Sequence, residues 1–258
     1  MTSGRDKQYF LERSDREMSH HLRQRDYHPC EALAVTCRLM GMEGHEAGLA
    51  GQITSRADAS ERYWTLRFGL GFDEAQPQDF VLVDDDLNTM QGEGMANPAT
   101  RFHLWVYRAR PDVGAIIHTH PPYISALSML EEPLVVAHMD ATPFFEDCAF
   151  LREWPGVPVA DREGELIAGA LEGRRSILLA HHGLLVAGQS IQEAAYLAVY
   201  MERAARMQLR AASAGPVRPV PAELAREAHD YLLKPAIVNA TFDYFARQVC
   251  RHYPDFTI

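Results

Sequence analysis

The sequence predicts one layered α/β domain with a helical tail, of α+β or α/β/α sandwich type. Three observations carry that prediction. Short strand-like pieces bounded by Gly and Asp crowd residues 49–83, and two further apolar runs stand alone at 113–120 and 176–186. The helical stretches between them follow no strict β-α-β alternation, which disfavours a doubly wound sheet. A chain of 258 residues is long enough to bury the core that such layers need.

Taken in order, residues 14–41 read as helix interrupted at Pro29, with Leu22, Ala32, Leu33, Val35, Leu39 and Met40 at apolar positions. Gly41 and Gly44 supply its stop and turn. Residues 49–54, 63–68 and 80–83 read as strands. The Asp84-Asp85-Asp86 run after them lacks the spacing of a Ca²⁺ loop and reads as a solvated hairpin turn. Asn97-Pro98 opens a helix that runs to about residue 108, as N-cap followed by Pro at the first helical position. Residues 113–120 form an apolar strand closed by Pro121-Pro122, followed by a short helix over 124–130 and a strand over 134–138. A helix is expected over 161–171, ended by Gly173. Residues 176–186, SILLAHHGLLV, form an apolar run interrupted by two histidines. Ser190 and Glu193 have the spacing of a capping box and launch a long amphipathic helix to about residue 212. Residues 213–221, SAGPVRPVP, read as a linker, and two helices split at Lys234-Pro235 complete the chain.

Composition narrows the function classes. The formal charge of −10 argues against nucleic acid or an anionic membrane surface as the partner. No 18-residue apolar run is present, so no membrane-spanning segment is expected. The opening MTSGRDKQYFLERSDREM is charged and lacks the apolar stretch of a secretory signal. The four cysteines, at 30, 37, 148 and 250, show no Cys-x-x-Cys spacing, and reduced thiols in a cytoplasmic protein are expected. Gly-x-Ser-x-Gly, Gly-x-Gly-x-x-Gly and phosphate-loop motifs are all missing.

The informative signal is histidine. In GAIIHTHPPY, His118 and His120 stand two apart at the end of a strand, so alternation puts both imidazoles on one face. Two imidazoles on a rigid strand make two ligands of a transition-metal site, which needs a third to hold an ion and keep positions open for substrate. His181 or His182 is the candidate, since only one of that pair can share the face, and Gly183 behind them permits close approach. Isolated histidines are more often satisfied core residues; His-x-His ending one apolar strand and His-His-Gly interrupting another favour the metal. His103 and Tyr107, one helical turn apart, read as packing and hydrogen-bonding groups against the sheet.

RPDVGAIIHTHPPY, followed about sixty residues later by ILLAHHGLLVAG, resembles the class II aldolase/adducin family. The resemblance covers about residues 28–212, leaving 1–27 as an N-terminal helical extension and 213–258 as linker and C-terminal helices. It implies a three-layer α/β/α sandwich around a mainly antiparallel sheet. It implies a divalent metal (Zn, Mn, Fe or Co) held by His118, His120 and His182, with His181 left out. It also implies a small-molecule substrate and a homo-oligomer, commonly a tetramer with sites between subunits.

Two departures from the family pattern bear on chemistry. Sugar-phosphate aldolases of the family place an acid/base Glu near the start of the helix before the His-x-His strand; here Ala99 stands there and cannot move a proton. Their phosphate-cradling loop is replaced by Gly51-Gln52-Ile53-Thr54, closer to a branch with decarboxylases and aromatic-acid enzymes. That makes Gln52 and Thr54 candidate substrate contacts and Arg56 a candidate bidentate partner for a carboxylate. His138-Met139-Asp140 is similar to a His-x-acid stretch in the epimerase and dehydratase members, so Asp140 is the expected catalytic acid/base and His138 a pocket residue. A three-histidine ion acts as a Lewis acid that stabilises the enolate left when a neighbouring C–C bond breaks. The expected function is therefore a metal-dependent carbon–carbon lyase, either decarboxylating an oxygenated, aromatic or other, acid or cleaving a non-phosphorylated aldol. The alternatives are a non-haem iron oxygenase on the same ligands and an adducin-like interaction protein without enzymatic activity.

Overall fold

The structure, a computed structural model, describes residues 6–23, 25–57, 61–157, 160–256 and 258; residues 1–5 of the N-terminal extension lie outside the described residues. Its centre is an eight-stranded sheet of β1 (Gln52–Arg56), β2 (Tyr63–Leu66), β3 (Phe80–Val83), β4 (Thr89–Gln91), β5 (Ala115–Thr119), β6 (Cys148–Leu151), β7 (Ser176–Leu179) and β8 (Gly183–Gly188), in the order β4-β3-β2-β1-β5-β8-β7-β6. Every pairing is antiparallel except β6 on β7. Helices α3 (Arg101–Ala109) and α5 (Asp161–Leu171) cover one face. Helices α2 (Pro29–Met42), α4 (Pro122–Met129), α6 (Ile191–Ala212) and α8 (Pro235–His252) cover the other. The helices α1 (Lys7–His21) and α7 (Ala222–Leu232) lie outside these layers, with no buried residue in α1 and only Ala225 buried in α7. This is the expected α/β/α sandwich.

Strand alternation builds both cores. Ala115 and Ile117 of β5, with Leu184 and Val186 of β8, join the α2 and α6 side; Ile116, Leu185 and Ala187 join the α3 and α5 side. The central strands are apolar on both faces because both faces are covered. Truncating a fully buried Ile117 or Leu184 to Ala would cost about 2–5 kcal/mol.

Several expectations are corrected. The helix over 14–41 is two helices: α1 ends at His21, and α2 starts at Pro29 with His28 as its N-cap. Pro fits a first helical turn but not an interior one. Residues 134–138 form no strand, because their polar groups are used elsewhere. The Val135 N–H donates to Gln208 Oε1 of α6 at 2.8 Å, and the Val136 carbonyl accepts from the Val220 N–H of the linker. The run at 176–186 is two strands, reversed through Ala180-His181-His182. Ser190 caps α6 by accepting from the Glu193 N–H, but the Glu193 carboxylate accepts from the Gln189 N–H and from Arg175, so the reciprocal half of the box is missing. The short edge strands β4 and β6 were not anticipated. The turn after β3 is the expected solvated one, with Asp84 Oδ1 accepting from the N–H groups of Asp86 and Asn88.

Candidate metal centre and its cavity

The β5–β8 pair positions the site. His118 lies opposite Leu185 in register, and its Nδ1–H donates to the Leu184 carbonyl at 2.8 Å. That bond fixes the tautomer, leaving Nε2 as the free lone pair, the outer-shell arrangement metal-bound imidazoles use. Phe102 of α3 meets the His118 ring edge-on at 4.9 Å. Thr119 points to the opposite face, where its Oγ1 lies 2.8 Å from His45 Nδ1. His120 returns to the face of His118, their Nε2 atoms 3.0 Å apart, at the point where Pro121 ends the strand.

The turn between β7 and β8 delivers the third imidazole. His181 has φ +56°, a left-handed conformation costly for a side-chain-bearing residue, and its reversal sends the two neighbouring histidines different ways. His182 joins His118 and His120 with ring centroids 4.6 Å from each. One ligand atom from each of the three lies within 4.8 Å of the others. His181 instead places its Nε2 3.1 Å from Glu131, whose carboxylate also takes Arg152. Gly183 makes the close approach possible: a β-carbon there would sit 2.4 Å from the Thr119 carbonyl oxygen and 3.0 Å from His120 Cδ2.

Burial tunes the donors. It depresses His118 well below the ordinary imidazole range, aided by His182 and His120 beside it. It takes His182 down to about 4 and lowers His120 as well. All three are neutral at pH 7, so each offers a nitrogen lone pair without first losing a proton. A divalent transition metal fits this donor set: three neutral imidazole nitrogens, one with its tautomer fixed, opening on a cavity of about 450 Å³.

The cavity also contains Gln52, directly opposite His118 across the β1–β5 pair, with its Oε1 buried and unpartnered. Ala99 lines it, as do Leu49, Phe68, Trp154 and Val157. This apolar wall was not anticipated from the sequence; an exposed tryptophan in Trp-Pro-Gly is the one local signal that marks it.

Two of the expected substrate contacts lie away from this cavity. Thr54 is buried beneath α3, its hydroxyl 2.9 Å from both His103 Nδ1 and Tyr107 Oη. Arg56 donates to the carbonyls of Val113 and Tyr107 and lies over the Tyr107 ring at 4.8 Å. Both share Gln52's face, but each step of two residues along β1 leads away from the rim toward the far end of the sheet, where Arg56 meets Gly114. His103 and Tyr107 are the packing and bonding groups expected of them.

His138 and Asp140 are not brought to the cavity of their own chain. They lie half-exposed on the 3-10 turn Met139–Phe144, where the Asp140 N–H donates to His138 Nδ1 at 3.2 Å. Burial raises Tyr196 and Tyr200 of α6, and the nearby Asp140 charge adds to the rise of both.

Comparison with known proteins agrees with the geometry. A family described as Class II Aldolase and Adducin N-terminal domain matches residues 31–209. A Streptomyces roseochromogenus subsp. oscitans protein named 4-hydroxy-3-prenylphenylpyruvate oxygenase/4-hydroxy-3-prenylbenzoate synthase is 37% identical over 182 residues, covering 69% of this chain and 66% of its own length. Decarboxylase NovR from Streptomyces niveus is 36% identical, covering 69% and 67%. The chain thus spans about two thirds of the length of these curated relatives. The solved structure of L-fuculose 1-phosphate aldolase from Glaciozyma antarctica PI12 superposes with a TM-score of 0.81 at 27% identity, covering 88% of this chain and 90% of that one.

Proposed function

The chain belongs to the class II aldolase and adducin family; from that premise we propose that it is a metal-dependent lyase that breaks a carbon–carbon bond in an oxygenated acid. The reaction is decarboxylation or the cleavage of a non-phosphorylated aldol. The observation that carries the reading is the neutral His118, His120 and His182 set at the mouth of a cavity that Ala99 lines, the residue that the family resemblance puts where aldolases have Glu. No metal is part of this structure, and the three imidazoles are the residues that would hold one. A divalent cation bound there supplies Lewis acidity that draws electron density from a substrate carbonyl.

The chain's own residues supply the rest. The Leu184 carbonyl holds His118 in the tautomer that points Nε2 into the cavity. Gln52 offers its amide to a substrate hydroxyl or carbonyl, and its buried oxygen gains the partner it lacks. Proton transfer at the reacting carbon is assigned to Asp140, delivered by a second copy of the chain in a homo-oligomer. Its half-exposed position, outside the cavity of its own chain, supports that reading.

Decarboxylation is favoured over aldol cleavage because it needs only protonation of the carbon, whereas aldol cleavage also needs a base for the distal hydroxyl, and Ala99 is none. The second reading, an iron-dependent oxygenase, is favoured by the name of the 37% identical Streptomyces protein. Incubating metal-loaded protein with 3-oxo acids and with 4-hydroxy-2-oxo acids and assaying CO₂, aldehyde and pyruvate tests the proposal. CO₂ released under argon supports the lyase; release that stops without O₂ supports the oxygenase. Absence of any bindable metal sinks both.

A further inference from the structure

The cavity is chemically divided. The three histidines and Gln52 form one end, and Leu49, Phe68, Trp154 and Val157 form the other, with 47, 44, 58 and 72% of their surfaces exposed. Single exposed apolar side chains need no explanation, but four around one catalytic cavity form a binding surface. No lysine or arginine is among the described residues that line it. The helix end that faces it is satisfied internally: Asn97 Oδ1 accepts from the Ala99 N–H, and Asn97 Nδ2 donates to the Leu49 carbonyl. A phosphate, nearly a dianion at neutral pH, finds no lysine or arginine among the described residues of this lining.

We infer that the substrate carries no phosphate and bears an aryl-sized apolar group that lies against Trp154 and Phe68 while its oxygenated end faces the histidines. The inference rests on the lyase reading for which end reacts, and adds the class of substrate and the residues that select it. A flat ring suits a Trp/Phe wall through stacking as well as area, and about 450 Å³ is room for a ring plus a short acid, more than a three-carbon acid fills. Ala99 contributes by being small, leaving room beside the ring where a longer carboxylate side chain would project a charge. The other candidate occupant is a second copy of the chain. The substrate is favoured because the wall lines the same cavity as the histidines and Gln52.

The test uses binding rather than turnover. Zn²⁺-loaded full-length protein is titrated with phenylpyruvate, pyruvate and dihydroxyacetone phosphate, following tryptophan emission and, in parallel, heat. Of the three tryptophans only Trp154 lines the cavity. The expected result is quenching by phenylpyruvate that disappears in Trp154→Phe although binding remains, and a preference of about tenfold or more over both other compounds. Trp154→Ala, at an exposed position that tolerates truncation, should erase roughly tenfold of that preference while sedimentation stays as in the wild type. Equal or tighter binding of dihydroxyacetone phosphate overturns the inference, as does an unchanged preference in Trp154→Ala. Dissociation of the assembly in Trp154→Ala overturns it too, because the wall then belongs to a subunit contact. Selective phenylpyruvate binding, with no cleavage of any aryl 3-oxo or 4-hydroxy-2-oxo acid, would remove the lyase reading and leave this one standing. Cleavage of a phosphorylated compound would do the reverse.

Discussion

Gly183→Ala is the sharpest test of how the metal centre is built. Gly183 has no left-handed backbone, so a methyl group there acts through space alone. The new β-carbon would lie 2.4 Å from the Thr119 carbonyl oxygen, 3.0 Å from His120 Cδ2 and 3.3 Å from His120 Cα. The oxygen belongs to β5 backbone and cannot swing aside, so the β5–β8 pair must open by at least about half an ångström to reach even a tight contact. Metal–ligand distances tolerate only about 0.2 Å. His120 rides on the strand that moves and His182 on the turn that pushes it, so the donors separate. We expect metal affinity to fall about 10–100-fold, the range for faults in a supporting shell. Overpacking should cost about 1–3 kcal/mol, or a few to about 10 °C in melting temperature at this chain length. Isothermal titration with Zn²⁺ and thermal melting of the metal-free protein read the two effects separately. Gly169→Ala is the control, since nothing lies within 4 Å of its added methyl in α5 and a helical Gly→Ala change is neutral or mildly stabilising. A Gly183→Ala protein that binds Zn²⁺ as the wild type does would refute the packing argument.

The remaining predictions address individual side chains. His182→Ala should lose metal and His181→Ala should retain it, measured by metal content after dialysis, because His181 is committed to Glu131; the opposite pattern would exchange their roles. Asp140→Asn should keep its metal and lose turnover by about 10²-fold or more, and mixing it with His182→Ala during refolding should restore part of the activity if Asp140 serves a neighbouring copy. No restoration in mixed oligomers would confine Asp140 to its own chain. Arg56→Lys should lower stability by about 1 kcal/mol or more through lost stacking and carbonyl bonds while KM stays constant; a rise in KM would return Arg56 to the substrate. His229 of α7 is raised above the ordinary imidazole value by its hydrogen bond to Asp147, with Asp230 adding to the rise and burial and Arg175 opposing it. Its contribution is thus complete below about pH 6.5 and is lost as pH climbs through the raised value. Hydrogen exchange in α7 should accelerate beyond the intrinsic rate as pH rises above about 6.5, and His229→Gln should flatten that change.

The His118 and His120 half of the centre was legible because what makes it is local, whereas His182 over His181 rested on the likeness of a motif about sixty residues away. Period-two alternation puts His118 and His120 on one face, Pro121 ends the strand, and Gly183 marks a close approach. The edge strands were not legible for the opposite reason. Thr89–Gln91 is exposed throughout and Cys148–Leu151 spans only four residues, so neither shows an alternation that sequence could register. Residues 134–138 look β-forming from Leu134, Val135 and Val136, yet what decides their conformation is Gln208, more than seventy positions away, which captures the Val135 N–H.

The distance of Thr54 and Arg56 from the cavity has a more general physical source. Strand alternation puts Gln52, Thr54 and Arg56 on one face, but a face says nothing about distance from the rim. That distance is set by register, the pairing of Gln52 with His118 and of Ser55 with Ala115, and register is a long-range fact between β1 and β5. Once it is known, the three residues sort themselves. Gln52 sits beside His118 with an unsatisfied oxygen, Thr54 is one step in and bonds the helix above it, and Arg56 is two steps in and props the far end of the sheet. The same step length, about 7 Å per two residues, makes a single strand serve chemistry at one end and stability at the other. Substitutions along β1 should therefore divide in that order, Gln52 acting on substrate binding and Arg56 on folding.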